Sequence, residues 1–263
     1  MRTFFSLILF TFLAGSLSAQ SSDAKAKQLI DAAEAALGGW DMLYAKNDVS
    51  YTYNYTYPAT GATDLSTERY IFEGEHSWGR YTQHDINVAP GTEGVVVQSL
   101  VSGQPAVNVD GKRTEDPQMV GTAGFLRAAN YYWFTMFYKL NDAGSIAKMK
   151  PRETIKGVTY DVITVAYDPA VTGKQVNDEY IVYFNPKTQL VDQFYFSLPA
   201  MGVNAPVIRM ELAYETIDGI PVVTKRNVFQ PDANGQYGNS PNLVQTLTDV
   251  KFNNGFQPAD FRL

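Results

Sequence analysis

The chain has no cysteine. Disulfides, thiolate metal sites of the Cys-x-x-Cys kind, cysteine nucleophiles and a lipid carried on an N-terminal cysteine are all excluded at once. Histidine is almost as scarce, with His76 and His84 the only two. A His-Glu-x-x-His zinc motif therefore cannot be assembled, and no Gly-x-Ser-x-Gly elbow accompanies the two imidazoles. Positive charge is also in short supply: Lys and Arg number 21 against 27 Asp and Glu, a net charge of −6, so nucleic acid is not an expected partner. Apolar runs are short. The longest, Phe4 to Leu13, covers about ten residues where a membrane-spanning helix needs roughly 20.

That run is nevertheless informative, because Arg2 precedes it and the small residues Gly15, Ser16, Ser18 and Ala19 follow it. Basic start, apolar middle and small-residue end are the three parts of a secretory signal peptide. Residues 1–19 are expected to be a leader cleaved after Ala19, and residues 20–263 a single exported domain, in the periplasm or beyond. Without disulfides, its stability must come from an ordinary hydrophobic core.

Aromatic residues are plentiful, with 17 Tyr and 15 Phe, and their spacing changes along the chain. Leu29, Ile30, Ala33 and Leu37 recur at helical intervals ahead of Gly38-Gly39, predicting a helix over 23–37. From Val49 the period becomes two: Tyr51, Tyr53, Tyr55 and Tyr57 alternate with Thr52, Asn54 and Thr56, placing four tyrosines on one face of a strand. Hairpins are predicted through residue 109, closed by Asp110-Gly111. The period then returns to three and four over 122–140. Strands resume to residue 252, separated by Lys156-Gly157, Asn185-Pro-Lys-Thr188, Asp218-Gly219 and Asp232-Ala-Asn-Gly235. Short strands at this spacing predict a mainly β, α+β chain built on one large curved antiparallel sheet or barrel.

The 122–140 segment holds the candidate site. Phe125, Tyr132, Trp133, Met136 and Phe137, with Tyr131, Phe134 and Tyr138, occupy nearly the full circumference of a helix, more than one sheet face can bury. The excess must be covered by the hollow of the sheet, by a bound acyl chain or by a partner protein. Tyr51, Tyr53 and Tyr55 are the matching candidates on the strand side, as cavity wall or as half-wet surface. No catalytic residue, metal site or cofactor is expected. His76 and His84 could share a strand face, and Glu73, Glu75 or Asp85 could offer a third metal ligand, but two surface strand histidines are the simpler reading. Glu73, Glu75, Asp178 and Glu179 sit at strand ends where a glycosidase pair could stand, yet such placement is ordinary in an acidic chain. Gly121-Thr-Ala-Gly124 reads as a helix start.

Several local sequences carry a family resemblance: Ala36-Leu-Gly-Gly-Trp40, Phe134-Thr-Met-Phe-Tyr-Lys-Leu140, Tyr183-Phe-Asn-Pro-Lys-Thr-Gln-Leu-Val-Asp192, Asp218-Gly-Ile-Pro-Val-Val-Thr-Lys225 and Val250-Lys-Phe-Asn-Asn-Gly-Phe256. Together with the order of elements they resemble the LolA and LolB periplasmic lipoprotein carriers and a secreted bacterial family related to them. The resemblance implies a helix followed by a half-open barrel of about 11 antiparallel strands, with a helical lid over an apolar mouth. It implies a non-catalytic binding or carrier protein for an apolar ligand, a lipid or the acyl chain of a lipoprotein. A structural or protein-interaction module, with possible envelope-protein partners and a half-barrel filled by its own side chains, is the alternative, and a glycan-active hydrolase the third. The missing cysteine separates the chain from the anchored acceptor LolB.

Overall fold

The computed structural model describes residues 21–263; the proposed leader and its cleavage point lie outside them. The helix α1 (Ala24–Ala36) is amphipathic and buries Ala26, Ile30 and Ala33. It ends where Gly38 takes a left-handed conformation (φ 96°) that ordinary residues avoid, and the short α2 (Gly39–Tyr44) follows.

The rest is dominated by one antiparallel sheet of 13 strands: β1 (Asp48–Thr56), β2 (Thr63–Ile71), β3 (His76–His84), β4 (Val96–Val101), β5 (Gln104–Val109), β6 (Lys112–Thr114), β7 (Ser145–Ile155), β8 (Val158–Tyr167), β9 (Tyr180–Phe184), β10 (Val191–Leu198), β11 (Val203–Ile217), β12 (Ile220–Phe229) and β13 (Leu243–Phe252). Their order is β6-β5-β4-β3-β2-β1-β13-β12-β11-β10-β9-β8-β7. Every neighbour but one follows in sequence; the exception is β1 against β13, which zips the two halves together. β6, only three residues long, lies beyond the hairpins expected through residue 109, and β7 and β11 start in stretches whose alternation is weak. Polar residues such as Lys148, Lys150 and Asn204 in those stretches obscure the period of two.

The sheet does not close. The chain leaves one edge at β6, crosses the concave face as α3 (Pro117–Lys139), and enters the opposite edge at β7. The N-terminus of α3 is set by Asp116, whose carboxylate accepts from the Met119 N–H, and by Pro117 in the first turn. The helix therefore begins before Gly121 and Gly124, which lie inside it rather than at its start; a Cβ on Gly124 would meet Pro105 of β5 at 3.5 Å. The β7 edge is partly covered by the residues ahead of α1: Asp23 N–H donates to Ala147 O (2.8 Å), and the Asp23 carboxylate accepts from the Met149 N–H (2.9 Å). That bond, and then Lys148, hold the Asp23 carboxyl below its usual range.

Candidate functional site

The two halves of α3 do different things. Its C-terminal half buries Tyr131, Thr135, Met136, Phe137 and Tyr138, and together with α1 and α2 fills one end of the half-barrel. Phe134 stacks on Tyr51 (centroids 5.7 Å) and Phe72 (6.2 Å), and the Tyr138 hydroxyl donates to Leu37 O. At the other end, where β1, β8, β10 and β12 finish and β9, β11 and β13 begin, the helix does not fill the hollow. A cavity of about 650 Å³ remains between α3 and the sheet, lined among others by Tyr53, Tyr55, Tyr57, Phe125, Tyr132, Trp133, Phe196, Ile208, Val228 and Leu243.

The eight residues singled out from the sequence thus separate. Tyr53, Tyr55, Phe125, Tyr132 and Trp133 line the cavity, whereas Tyr51, Met136 and Phe137 lie in the packed core beside it. The tyrosines of β1 form a continuous edge-to-face ladder running from the core outward: Tyr51 to Tyr53 at 6.0 Å, Tyr53 to Tyr55 at 6.4 Å, Tyr55 to Tyr57 at 6.0 Å. Opposite them, Trp133 packs against Phe194 and Phe196 of β10, and the Tyr132 and Tyr167 hydroxyls lie 3.3 Å apart. Phe125 is half exposed near the rim, at 51 % of its surface.

Three interior polar groups were not anticipated. The first is an ion pair without access to water: Arg127 of α3 and Glu68 of β2 are both fully buried and joined two-pronged, Nη1 to Oε2 and Nη2 to Oε1 (3.1 Å). Burial works against the Arg127 charge, but Glu68 more than reverses the effect, so the guanidinium stays protonated. Glu68 also accepts from Ser66 and from the Tyr70 hydroxyl; with that proton committed, Tyr51 must be the donor in the 2.7 Å Tyr51–Tyr70 bond. Arg127 reaches the Tyr81 hydroxyl on the far side. Room for the guanidinium comes from Gly79, directly opposite Glu68 in the β2–β3 register, where a Cβ would stand 2.7 Å from Arg127 Cζ.

The second and third are Arg226 of β12 and Gln245 of β13, cross-strand partners on the concave face. Arg226 is 4 % exposed, and its one hydrogen bond among the described residues is from Nη2 to the Trp133 carbonyl (2.9 Å). It has no carboxylate partner among them. Gln245 is equally buried, lines the cavity, and its Oε1 has no partner. The Tyr53 hydroxyl is likewise unpaired among the described residues; burial raises its pKa, and the Arg226 charge is the foremost influence opposing that rise. Arg127 is legible as a cation in the middle of an aromatic helix, and Arg226 as one on the inward beat of a strand, but neither shows its partners in the sequence.

The remaining candidates have local roles. His76 Nδ1 accepts from the Ser102 N–H (3.2 Å), and His84 Nε2 donates to Gly94 O (2.9 Å). Glu73 and Glu75 occupy the exposed β2–β3 turn, where Glu75 pairs with Lys139. Asp64 and Asp178 line the cavity, each with its carboxyl raised chiefly by burial; Asp64 accepts from Ile86 N–H, Asn87 N–H and Asn87 Nδ2. Among the described residues no helix is long and apolar enough to cross a membrane.

A 13-stranded open antiparallel sheet with a helix crossing its hollow face is the LolA-like fold, and solved structures agree. A DUF1329 family protein from Desulfovibrio piger is similar with a TM-score of 0.55 at 12 % identity, covering 90 % of this chain and 97 % of that one. A protein domain from Vibrio parahaemolyticus, described as belonging to outer membrane lipoprotein sorting, gives 0.52 at 12 % identity over 90 % and 96 % of the two chains. A LolA superfamily protein from Nitrosomonas europaea gives 0.51 at 14 % identity over 90 % and 97 %. Within this fold the chain belongs to DUF6503, a family of unknown function, whose match spans residues 2–204. None of the curated proteins matches it.

Proposed function

We propose that this chain is an extracytoplasmic binding or carrier protein for an apolar ligand, a lipid or an acyl chain, and that it performs no chemistry on what it binds. The observation that carries the reading is the cavity of about 650 Å³ beside α3, walled mainly by aromatic and aliphatic side chains, with polar and charged residues such as Asp64, Lys139, Lys174 and Asp178 also on its wall. Its size falls within the roughly 300–1,000 Å³ of small-molecule sites. Transfer of an alkyl chain into it is worth about 0.8 kcal/mol per methylene buried, so ten methylenes would supply roughly 8 kcal/mol before the costs of binding. Tyr53, Tyr55, Tyr132, Trp133 and Phe125 are the residues expected to touch the ligand, with Tyr51, Met136 and Phe137 supporting them from behind.

The company of proteins with this fold supports the reading: one bears the name of an outer membrane lipoprotein-sorting protein domain and another that of a LolA superfamily protein. The leader-like residues 1–19 agree with export. Because Arg127 fixes the middle of α3 to β2 and β3, a ligand would enter through the mouth between Tyr57, Leu198 and Phe125, with the helix staying in place.

A self-filled interaction module is the second reading, favoured by the plugged end where Phe134, Phe137 and Tyr138 pack on α1 and α2. It accounts for that end and leaves the cavity unexplained. Native mass spectrometry of the chain purified without detergent, followed by organic extraction, tests the choice. An added mass that extraction removes is expected; a bare polypeptide that also takes up no fluorescent fatty acid would put the module first.

A further inference from the structure

Arg226 presents a problem in electrostatics. Arg226 is 4 % exposed and stands just behind the cavity wall, flanked by the lining residues Trp133, Val228 and Gln245 without itself lining it, and its side chain holds one hydrogen bond, to a neutral carbonyl. A buried cation is ordinarily paired, since an unpaired one forfeits its hydration. The two buried carboxylates on this face are committed elsewhere: Glu68 to Arg127, and Asp64 to the Ile86 and Asn87 N–H groups. Around Arg226 stand two further polar side chains more than nine-tenths buried, both cavity-lining and both without a side-chain hydrogen bond among the described residues. They are the Tyr53 hydroxyl and Gln245, Arg226's cross-strand partner, whose enclosed Oε1 is unpaired and whose Nε2 is the free donor.

We propose that the ligand is a single-chain amphiphile with a carboxylate head, and that the head goes in first, pairing with Arg226 and taking hydrogen bonds from Tyr53 and Gln245. This rests on the cavity being a ligand site. Arg supplies a forked pair of N–H donors matched to the two oxygens of a carboxylate. Of the cations at or behind the wall, Lys139 is paired with Glu75 and Lys174 is exposed, so Arg226 alone is buried without a carboxylate partner among the described residues, and one such cation favours a carboxylate over a doubly charged phosphate monoester. The hydroxyl and the amide supply the neutral donors that a carboxylate, with about four lone-pair sites, still accepts. The alkyl chain then runs outward along the Tyr53–Tyr55–Tyr57 ladder, with Trp133, Phe196 and Leu243 on its other side, toward the rim at Phe125 and Leu198.

The test compares head groups on one alkyl chain. Palmitate, hexadecanol and hexadecyl phosphate, each below its aggregation concentration, are titrated into the delipidated full chain by displacement of a fluorescent probe, in the wild type, R226M and R226K. Palmitate is expected to bind at least tenfold more tightly than hexadecanol and more tightly than hexadecyl phosphate. R226M should bring the palmitate-to-hexadecanol ratio close to one, and R226K should restore part of it. Equal affinities of palmitate and hexadecanol in the wild type, or a ratio unmoved by R226M, would overturn the carboxylate assignment while leaving the apolar site standing. Tighter binding of hexadecyl phosphate would replace the carboxylate with a phosphate. Binding of none of the three would remove the ligand site itself, and this inference with it. Hexadecanol affinity in R226M close to that of the wild type shows that the apolar site is intact, so that a ratio near one there reports the head group and not a disrupted fold.

Discussion

Arg127 shows how one side chain can fix the position of a whole helix. Truncating either member of a buried pair leaves the other charge without water or partner, at a cost of about 3–5 kcal/mol. R127M is accordingly expected to lower the urea midpoint strongly with little change in the slope, whereas the double variant E68L/R127M, which buries no charge, should recover much of the loss. Recovery absent in the double variant would mean that the pair's other contacts, to Tyr70 and Tyr81, matter more than its charge. Gly79 belongs to the same arrangement, since a Cβ there would intrude on the guanidinium. G79A is expected to cost about 1–3 kcal/mol in the wild type and markedly less in R127M, a coupling that a double-mutant cycle measures directly. Equal costs in both backgrounds would show that Gly79 is required for strand geometry alone.

The helix α3 is unusual in being aromatic nearly all round, and the fold resolves this by giving its two halves different surroundings. The C-terminal half packs on β1, β2 and β10 and on α1 and α2, with Tyr132 and Trp133 left on its cavity side. The N-terminal half packs on β3, β4 and β5 on one side and faces the cavity on the other. Ala129 stands on that cavity side and is only partly buried. Its replacement by Trp adds bulk where there is empty space, so A129W is expected to keep the thermal midpoint within a few degrees and to abolish uptake of a fluorescent fatty acid. Retained uptake would place the ligand outside this cavity. The same element shows the limit of periodicity: the aromatic spacing of three and four marks the helix over 122–140, whereas its start is set by the Asp116-Pro117 cap, one turn ahead of the aromatic stretch.

Across the molecule, tyrosine burial sets the response to alkali. Burial raises the phenols of Tyr51, Tyr53, Tyr70, Tyr81 and Tyr132 above their ordinary value near 10, and that of the less enclosed Tyr160 to about 12. The folded chain therefore holds these protons more tightly than the unfolded one. The stability that follows is fully present below pH 10 and is lost as pH rises beyond it toward the folded-state values. Spectrophotometric titration is expected to show an early exposed group of tyrosines and a late, steep group that ionises together with loss of tertiary circular dichroism. A smooth titration of all 17 near pH 10 with the fold intact would contradict the burial described here.

The sequence by itself determined the elements and their kind, because these depend on local periodicity. The alternation of Tyr51 to Tyr57 fixes a strand face, the Gly-rich turns fix the hairpins, and the spacing of Phe125 to Phe137 fixes a helix. Composition also bears on function class, since a chain without cysteine and with two histidines has few ways to build a metal or nucleophilic site. The tertiary structure decided which face is hollow and which is full. Tyr51 and Tyr55 are four residues apart on one strand face, yet one is core and the other cavity wall, because the contents of the half-barrel change along its axis. It also decided which distant polar groups meet: the Glu68–Arg127 ion pair joins residues 59 positions apart, and the sheet sets Arg226 opposite Gln245, 19 positions on. No local pattern encodes such a pairing; it exists only once the sheet has curled and laid β2 under α3 and β12 beside β13.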